Sequence, residues 1–190
     1  MKPFLFVFSF VALILFSSCE GDEYVTYRFT SLDLKNADSS PGMPMVINSD
    51  SIRNEVYVLR LNLHPVEVSR KGRYFDTYES SVRVLNPIVK IKITSSDSFD
   101  IMHPAGSNMN NYFVYLAGNY MHVSEPIGYD GTIEPTARYN EDYAENNFPE
   151  YADLLLIHPP DNLVYRKFYV ELTIKDEGIW KDSTTLIKLY

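Results

Sequence analysis

The chain has 190 residues, 45% of them hydrophobic, and a net charge of −8 from 17 Lys and Arg against 25 Asp and Glu. That acidic balance, without an RNA-binding signature, argues against nucleic acid or anionic lipid head groups as partners. A single cysteine, Cys19, excludes a disulfide within the chain, and the length is ample for one hydrophobic core but short for two.

At the amino terminus Met1, Lys2 and Pro3 precede an almost purely apolar run from Phe4 to Phe16, then Ser17, Ser18 and Cys19. One positive charge, an apolar region within the roughly 7 to 15 residues typical of a signal, and small residues before a cut are the features of a signal peptide. The run falls short of the roughly 20 apolar residues a transmembrane helix needs. The thiol of Cys19 stands where a diacylglycerol is attached before cleavage frees the amino group. Residues 1–18 are therefore expected to be a signal, Cys19 the lipid-bearing first residue of the mature protein, and residues 19–23, with Glu20, Asp22 and Glu23, an acidic tether. Two or three acyl chains, palmitate among them, contribute about 0.8 kcal/mol per buried methylene, which makes such an anchor effectively permanent.

Residues 24–190 read as one domain. Apolar residues recur mostly at every second position in short runs bounded by turn formers, the pattern of half-buried strands, and the 15 tyrosines favour sheet over helix. The first run puts Val25, Tyr27 and Phe29 on one face and then shifts to Leu32 and Leu34, as a bulge between Phe29 and Leu32 would require. Asp38 to Asp50 reads as a loop holding a short edge strand at Met45, Val46 and Ile47. A clear strand follows with Tyr57, Leu59, Leu61 and Leu63 inward and Arg60, Asn62 and His64 outward, ended by Pro65. Residues 69–79 form an excursion with the basic cluster Arg70, Lys71 and Arg73. The strand that comes next has Val89, Ile91 and Ile93 inward and Lys90, Lys92 and Thr94 toward water, the mark of an antiparallel sheet solvated on one side.

Beyond Phe99, His103 to Ser107 forms a turn, and Asn108 to Leu116 is expected to make one or two helical turns carrying Met109, Tyr112, Phe113 and Leu116 on one face. A long polar segment spans residues 125–151. The carboxyl end reads as a hairpin: Phe168, Val170, Leu172 and Ile174 alternate with polar residues, Asp176-Glu177-Gly178 makes the turn, and a last strand runs from Ile179 to Tyr190. With no βαβ rhythm, these elements indicate an all-β fold, an antiparallel immunoglobulin-like sandwich with long loops and at most one short helix.

The stretch Leu15-Phe16-Ser17-Ser18-Cys19 resembles a bacterial lipobox, with Phe16 where leucine is usual, and the acids after Cys19 resemble the export signal of surface lipoproteins in Bacteroidetes. Together with the His103-Pro104-Ala105-Gly106-Ser107 turn and the Asp176-Glu177-Gly178 hairpin, the chain resembles immunoglobulin-like domains of uncharacterised lipoproteins from that group. Asp50-Ser51-Ile52 and Asp182-Ser183-Thr184 resemble the short glycosylation signal used there. The antibody cysteine pair is absent, so the likeness is one of architecture. It implies a lipid-anchored protein of the outer membrane, facing outward.

Candidate chemistry is sparse. Three of the four histidines, His64, His103 and His158, precede proline, but no HxH or HExxH spacing marks a metal site. There is no G-x-S-x-G elbow for a nucleophile, and the acids between Asp130 and Glu150 are too many for any one pair to stand out as glycosidase carboxylates. No catalytic residue, metal or cofactor is assigned. Tyr129, Tyr139 and Tyr143, interleaved with those acids, are the candidate ligand-binding residues, because flat aromatic faces beside carboxylates suit sugar rings and protein surfaces alike. The expected function is a non-enzymatic, lipid-anchored binding or accessory module of the cell envelope, with a glycan or an envelope protein as partner. A fimbria-like assembly subunit and then a carbohydrate-active enzyme are the alternatives.

Overall fold

The alternation of apolar and polar residues folds into strands, and the described residues contain no α-helix, only single 3₁₀ turns at Asn54–Val56 and Asn110–Tyr112. A computed structural model describes residues 24–71, 81–117, 122–126 and 151–190. The signal, Cys19 and the tether lie outside the described residues, as do Arg73, Tyr129, Tyr139 and Tyr143. In chain order the strands are β1 (Tyr24–Phe29), β2 (Asp33–Asp38), β3 (Met45–Val46), β4 (Ser51–Ile52), β5 (Tyr57–Asn62), β6 (Pro65–Lys71), β7 (Ser81–Val84) and β8 (Ile88–Ser95). They continue as β9 (Phe113–Ala117), β10 (His122–Pro126), β11 (Tyr151–Leu156), β12 (Tyr165–Arg166), β13 (Phe168–Ile174), β14 (Gly178–Ser183) and β15 (Ile187–Leu189).

A six-stranded sheet, ordered β10-β9-β11-β5-β2-β3, shares one core with the three-stranded sheet β14-β13-β8. Tyr57, Leu59, Leu61, Ala152, Leu154 and Leu156 come from the first, and Ile91, Ile93, Phe168, Val170, Leu172 and Ile174 from the second. This is the layering of a β-sandwich. Two smaller sheets, β6-β1-β7 and β12-β15-β4, complete the order. Pairing is antiparallel except for β1 with β7 and β15 with β4, which are parallel.

Several sequence expectations are corrected. Val89 is 40% exposed and Ile88 takes the inward place at 2%, because Thr173 pairs with Lys90 while Ile174 pairs with Ile88, leaving Val89 as the extra residue of a bulge. The shift after Phe29 is a strand break, with β1 and β2 in different sheets. The irregularity in β1 pairing lies at Thr26/Tyr27, opposite Val68. Pro65 ends β5 by starting β6, so Arg70 and Lys71 belong to a strand. The helix expected around Asn108–Leu116 is one 3₁₀ turn followed by β9. Phe113 and Leu116, an odd number of positions apart in that strand, enter different apolar clusters. The last strand divides into β14 and β15, which lie in separate sheets.

Two asparagine side chains finish strand edges. Asn110 accepts from the Ile93 amide at 2.9 Å and donates to the Ile91 carbonyl at 2.9 Å, occupying the open edge of β8. Asn86 does the same to both backbone groups of Phe29. A single amide side chain thus supplies what a further strand would. The face of β5 away from the main core is also covered: Ala37, Val58 and Leu116 form a second buried cluster with Leu155. Beside it Arg60 makes a two-pronged bridge to Asp153, both contacts at 2.7 Å, and lies 3.9 Å over the Tyr151 ring. Arg60 is therefore half-buried rather than solvated.

Topology gives the molecule two ends. The described chain begins at Tyr24, in register with Lys71 and Ser81 on the β6-β1-β7 sheet. From that sheet β7 leads into β8, and β8, spanning about 26 Å at roughly 3.3 Å per residue, leads into the 96–108 loop at the opposite end.

Candidate functional site

At that remote end the 96–108 loop meets the 157–165 loop. The Asp161 amide donates to the Phe99 carbonyl at 2.9 Å, and Asn162 Nδ2 to the Ser98 carbonyl at 3.2 Å. Below them the rings of Phe99, Phe113, Tyr57 and Phe168 stack or meet edge to face, a rigid floor for the loops. Asp100 begins a tight turn, its Oδ1 accepting from the amides of Met102 and His103, both at 2.8 Å. Such side-chain-to-backbone bonds are the reason aspartate favours turns.

The same carboxylate organises a polar cluster. Tyr112, on the 3₁₀ turn before β9, donates its hydroxyl to Asp100 Oδ2. His103 Nδ1 lies 2.8 and 3.1 Å from the two Asp100 oxygens and 3.0 Å from the Tyr112 hydroxyl. The hydrogen bond from Tyr112, reinforced by His103 and the two amides, holds the Asp100 pKa down to about 2. Partial burial and the Asp100 carboxylate push the Tyr112 phenol up to about 12. An ionised Asp100 accepts only, so the His103 ring atom that faces it, Nδ1, is the donor.

His158 completes the group, its ring 5.2 Å from the Tyr112 ring, as His103 is at 4.7 Å on an edge contact. Asp100, Asn111, Tyr112, His158, Pro159 and Asp161 line a depression of about 380 Å³. The same two loops carry apolar side chains turned to solvent: Ile101 at 91% exposure, Met102 at 78% and Leu163 at 60%.

The structure thus brings together two of the three pre-proline histidines and not the third. His64 lies at the β5–β6 turn with φ 45°, its carbonyl accepting from Thr30. Among the described residues no group of three or more His, Cys, Asp and Glu is arranged to hold a metal ion. Tyr129, Tyr139 and Tyr143 lie outside the described residues, so the aromatic segment is not part of this site. Sequence reading missed the cluster around Tyr112, although Asp100-Ile101-Met102-His103 carries the turn spacing that builds it. Both glycosylation-like triplets are built into the fold: Ser51 and Ile52 pair with β15, while Asp182 accepts the Leu34 amide and Thr184 the Phe168 amide.

Chemically, the unit holds a proton in a fixed place. With its pKa near 2, Asp100 is not a general acid at neutral pH. What the end of the molecule offers is a preorganised polar depression beside exposed apolar side chains, a composition for binding. No family model, no curated protein and no solved structure matches the chain.

Proposed function

We propose that this chain is a lipid-anchored binding module of the cell envelope that holds an envelope protein at the end of its sandwich remote from the amino terminus. The anchor is the lipid on Cys19 and the setting is the outer membrane, facing outward. The observation that carries the reading is the polarity of the fold. The described chain starts on the β6-β1-β7 sheet, five residues after Cys19, while Ile101, Met102 and Leu163 stand exposed on the loops at the other end. A tether of that length reaches at most about 18 Å, so the first sheet faces the membrane and the loops face away from it. Exposed aliphatic side chains at this density favour a protein over a sugar, whose rings want aromatic platforms.

The edges of the sheets weigh against the assembly-subunit alternative. Asn110 occupies the free side of β8, β6 carries the irregularity at Val68, and β3 is two residues long and exposed. These are devices that discourage strand addition. A photo-crosslinking residue at position 101 in living cells is expected to give one adduct of defined mass, lost on Met102→Ser, while the same residue at position 179 gives none. Equal adducts from both positions, or retention of a glycan in place of any protein adduct, would sink the proposal.

A further inference from the structure

Beneath the same loops lies a charge that the binding surface does not use. Arg166, on β12, is 0% exposed and is the largest fully buried side chain. Its Nη2 donates to the Asn162 carbonyl at 3.0 Å and to Asn162 Oδ1 at 2.6 Å, and its guanidinium carbon lies 4.9 Å from the Phe99 ring centroid. Nε and Nη1 have no hydrogen-bond partner among the described residues. Asp97 is the acid whose field reaches the guanidinium, but Asp97 is exposed and bonded to Ser96 Oγ at 3.0 Å, so it does not close an ion pair.

A guanidinium does not lose its proton in a protein. Burying it with two of its three nitrogens unanswered is among the most unfavourable arrangements a fold can contain, unless an anion completes it. We propose that Arg166 is the floor of a carboxylate-binding site roofed by the 157–165 loop. One buried positive charge is matched by one negative charge, which selects a monoanion over a phosphate dianion against the Phe99 ring. The planar carboxylate is the shape that a guanidinium recognises through parallel N–H bonds. Entry requires the loop to lift. Its Leu163 and Val164 side chains face solvent, Asn162 is tied to Arg166 and Ser98, and the Asp161 amide bond to the Phe99 carbonyl is the further tie that opens. The inference stands apart from the envelope reading, because it needs neither the lipid nor a protein partner.

The test is thermal unfolding of the detergent-solubilised full chain at neutral pH in sodium acetate, sodium chloride and sodium phosphate at matched ionic strength. Acetate is expected to raise Tm with the logarithm of its concentration above its dissociation constant, by about 3 to 6 °C at ten times that constant, and chloride to leave it unmoved. Arg166→Met is expected to abolish the acetate response and Arg166→Lys, which keeps the charge but not the fork, to weaken it. Should Arg166→Met fail to fold, the lysine variant and the wild-type anion series decide. Equal responses to acetate and chloride, or an acetate response that survives Arg166→Met, would overturn the site and leave internal water as the partner. Phosphate stabilising as strongly as acetate would overturn the carboxylate assignment.

Discussion

Asp100 accepts from Tyr112, from the His103 ring and from two backbone amides, and all four are interactions of its ionised form. Its folded pKa of about 2 lies below the ordinary 3.8, so the stability it contributes is present above the ordinary value and is lost as pH falls toward 2. Asp100→Asn should therefore flatten the acid limb of a stability-against-pH curve between about pH 4 and 2, a change that chemical denaturation at several pH values will read. Tyr112 has the opposite sign. Its folded pKa, pushed up to about 12, means that its contribution is complete below the ordinary value of 10 and is lost as pH rises through 12. Ultraviolet titration of tyrosinate should show one of the late-ionising tyrosines moving to lower pH after Asp100→Asn, while Tyr57, held up by burial, stays late; an unchanged titration would mean that the pair is not formed.

At the scale of strands, the bulge in β8 separates two neighbours that composition alone would treat alike. Ile88→Ala opens a cavity in the shared core and should cost about 2 to 5 kcal/mol, whereas Val89→Ala, at an exposed bulge position, should stay within about 0.5 kcal/mol. Equal losses in urea unfolding would argue that the register differs. The cross-strand pair of β5 and β11 makes a second case. Asp153→Ala strands the half-buried Arg60 guanidinium, and breaking such a pair from one side is expected to cost about 3 to 5 kcal/mol, while replacing both partners by apolar residues should recover most of it. A double-mutant cycle reads the difference.

At the scale of the whole molecule, the proposed anchor and the proposed contact surface are tested separately. Cys19→Ala should abolish labelling by a fatty-acid analogue and release the chain from the membrane fraction. Labelling that persists in the variant would remove the anchor from the proposal. Met102→Ser with Leu163→Ser should leave Tm unaltered, since both side chains are exposed, yet eliminate the crosslink from position 101. A loss of stability instead would make these residues part of the fold and not of a contact surface.

Period-two patterning made the all-β class and most of the inward residues of β5, β8 and β13 legible, because a half-buried strand writes its own face into every second residue. The turn at Asp176 and Gly178, with φ of 62° and 91°, was legible for a related reason: left-handed backbone selects its residues locally. The proposed lipid signal is read from chain order alone and has no counterpart among the described residues. Tertiary structure alone decided that Val89 yields to Ile88, that Asn110 closes an edge, that β9 is a strand, and that Asp100, His103, Tyr112 and His158 meet. Each depends on a partner distant in sequence, such as β13 for the bulge or β11 for β9, and pairing between distant segments leaves no periodic mark on either one.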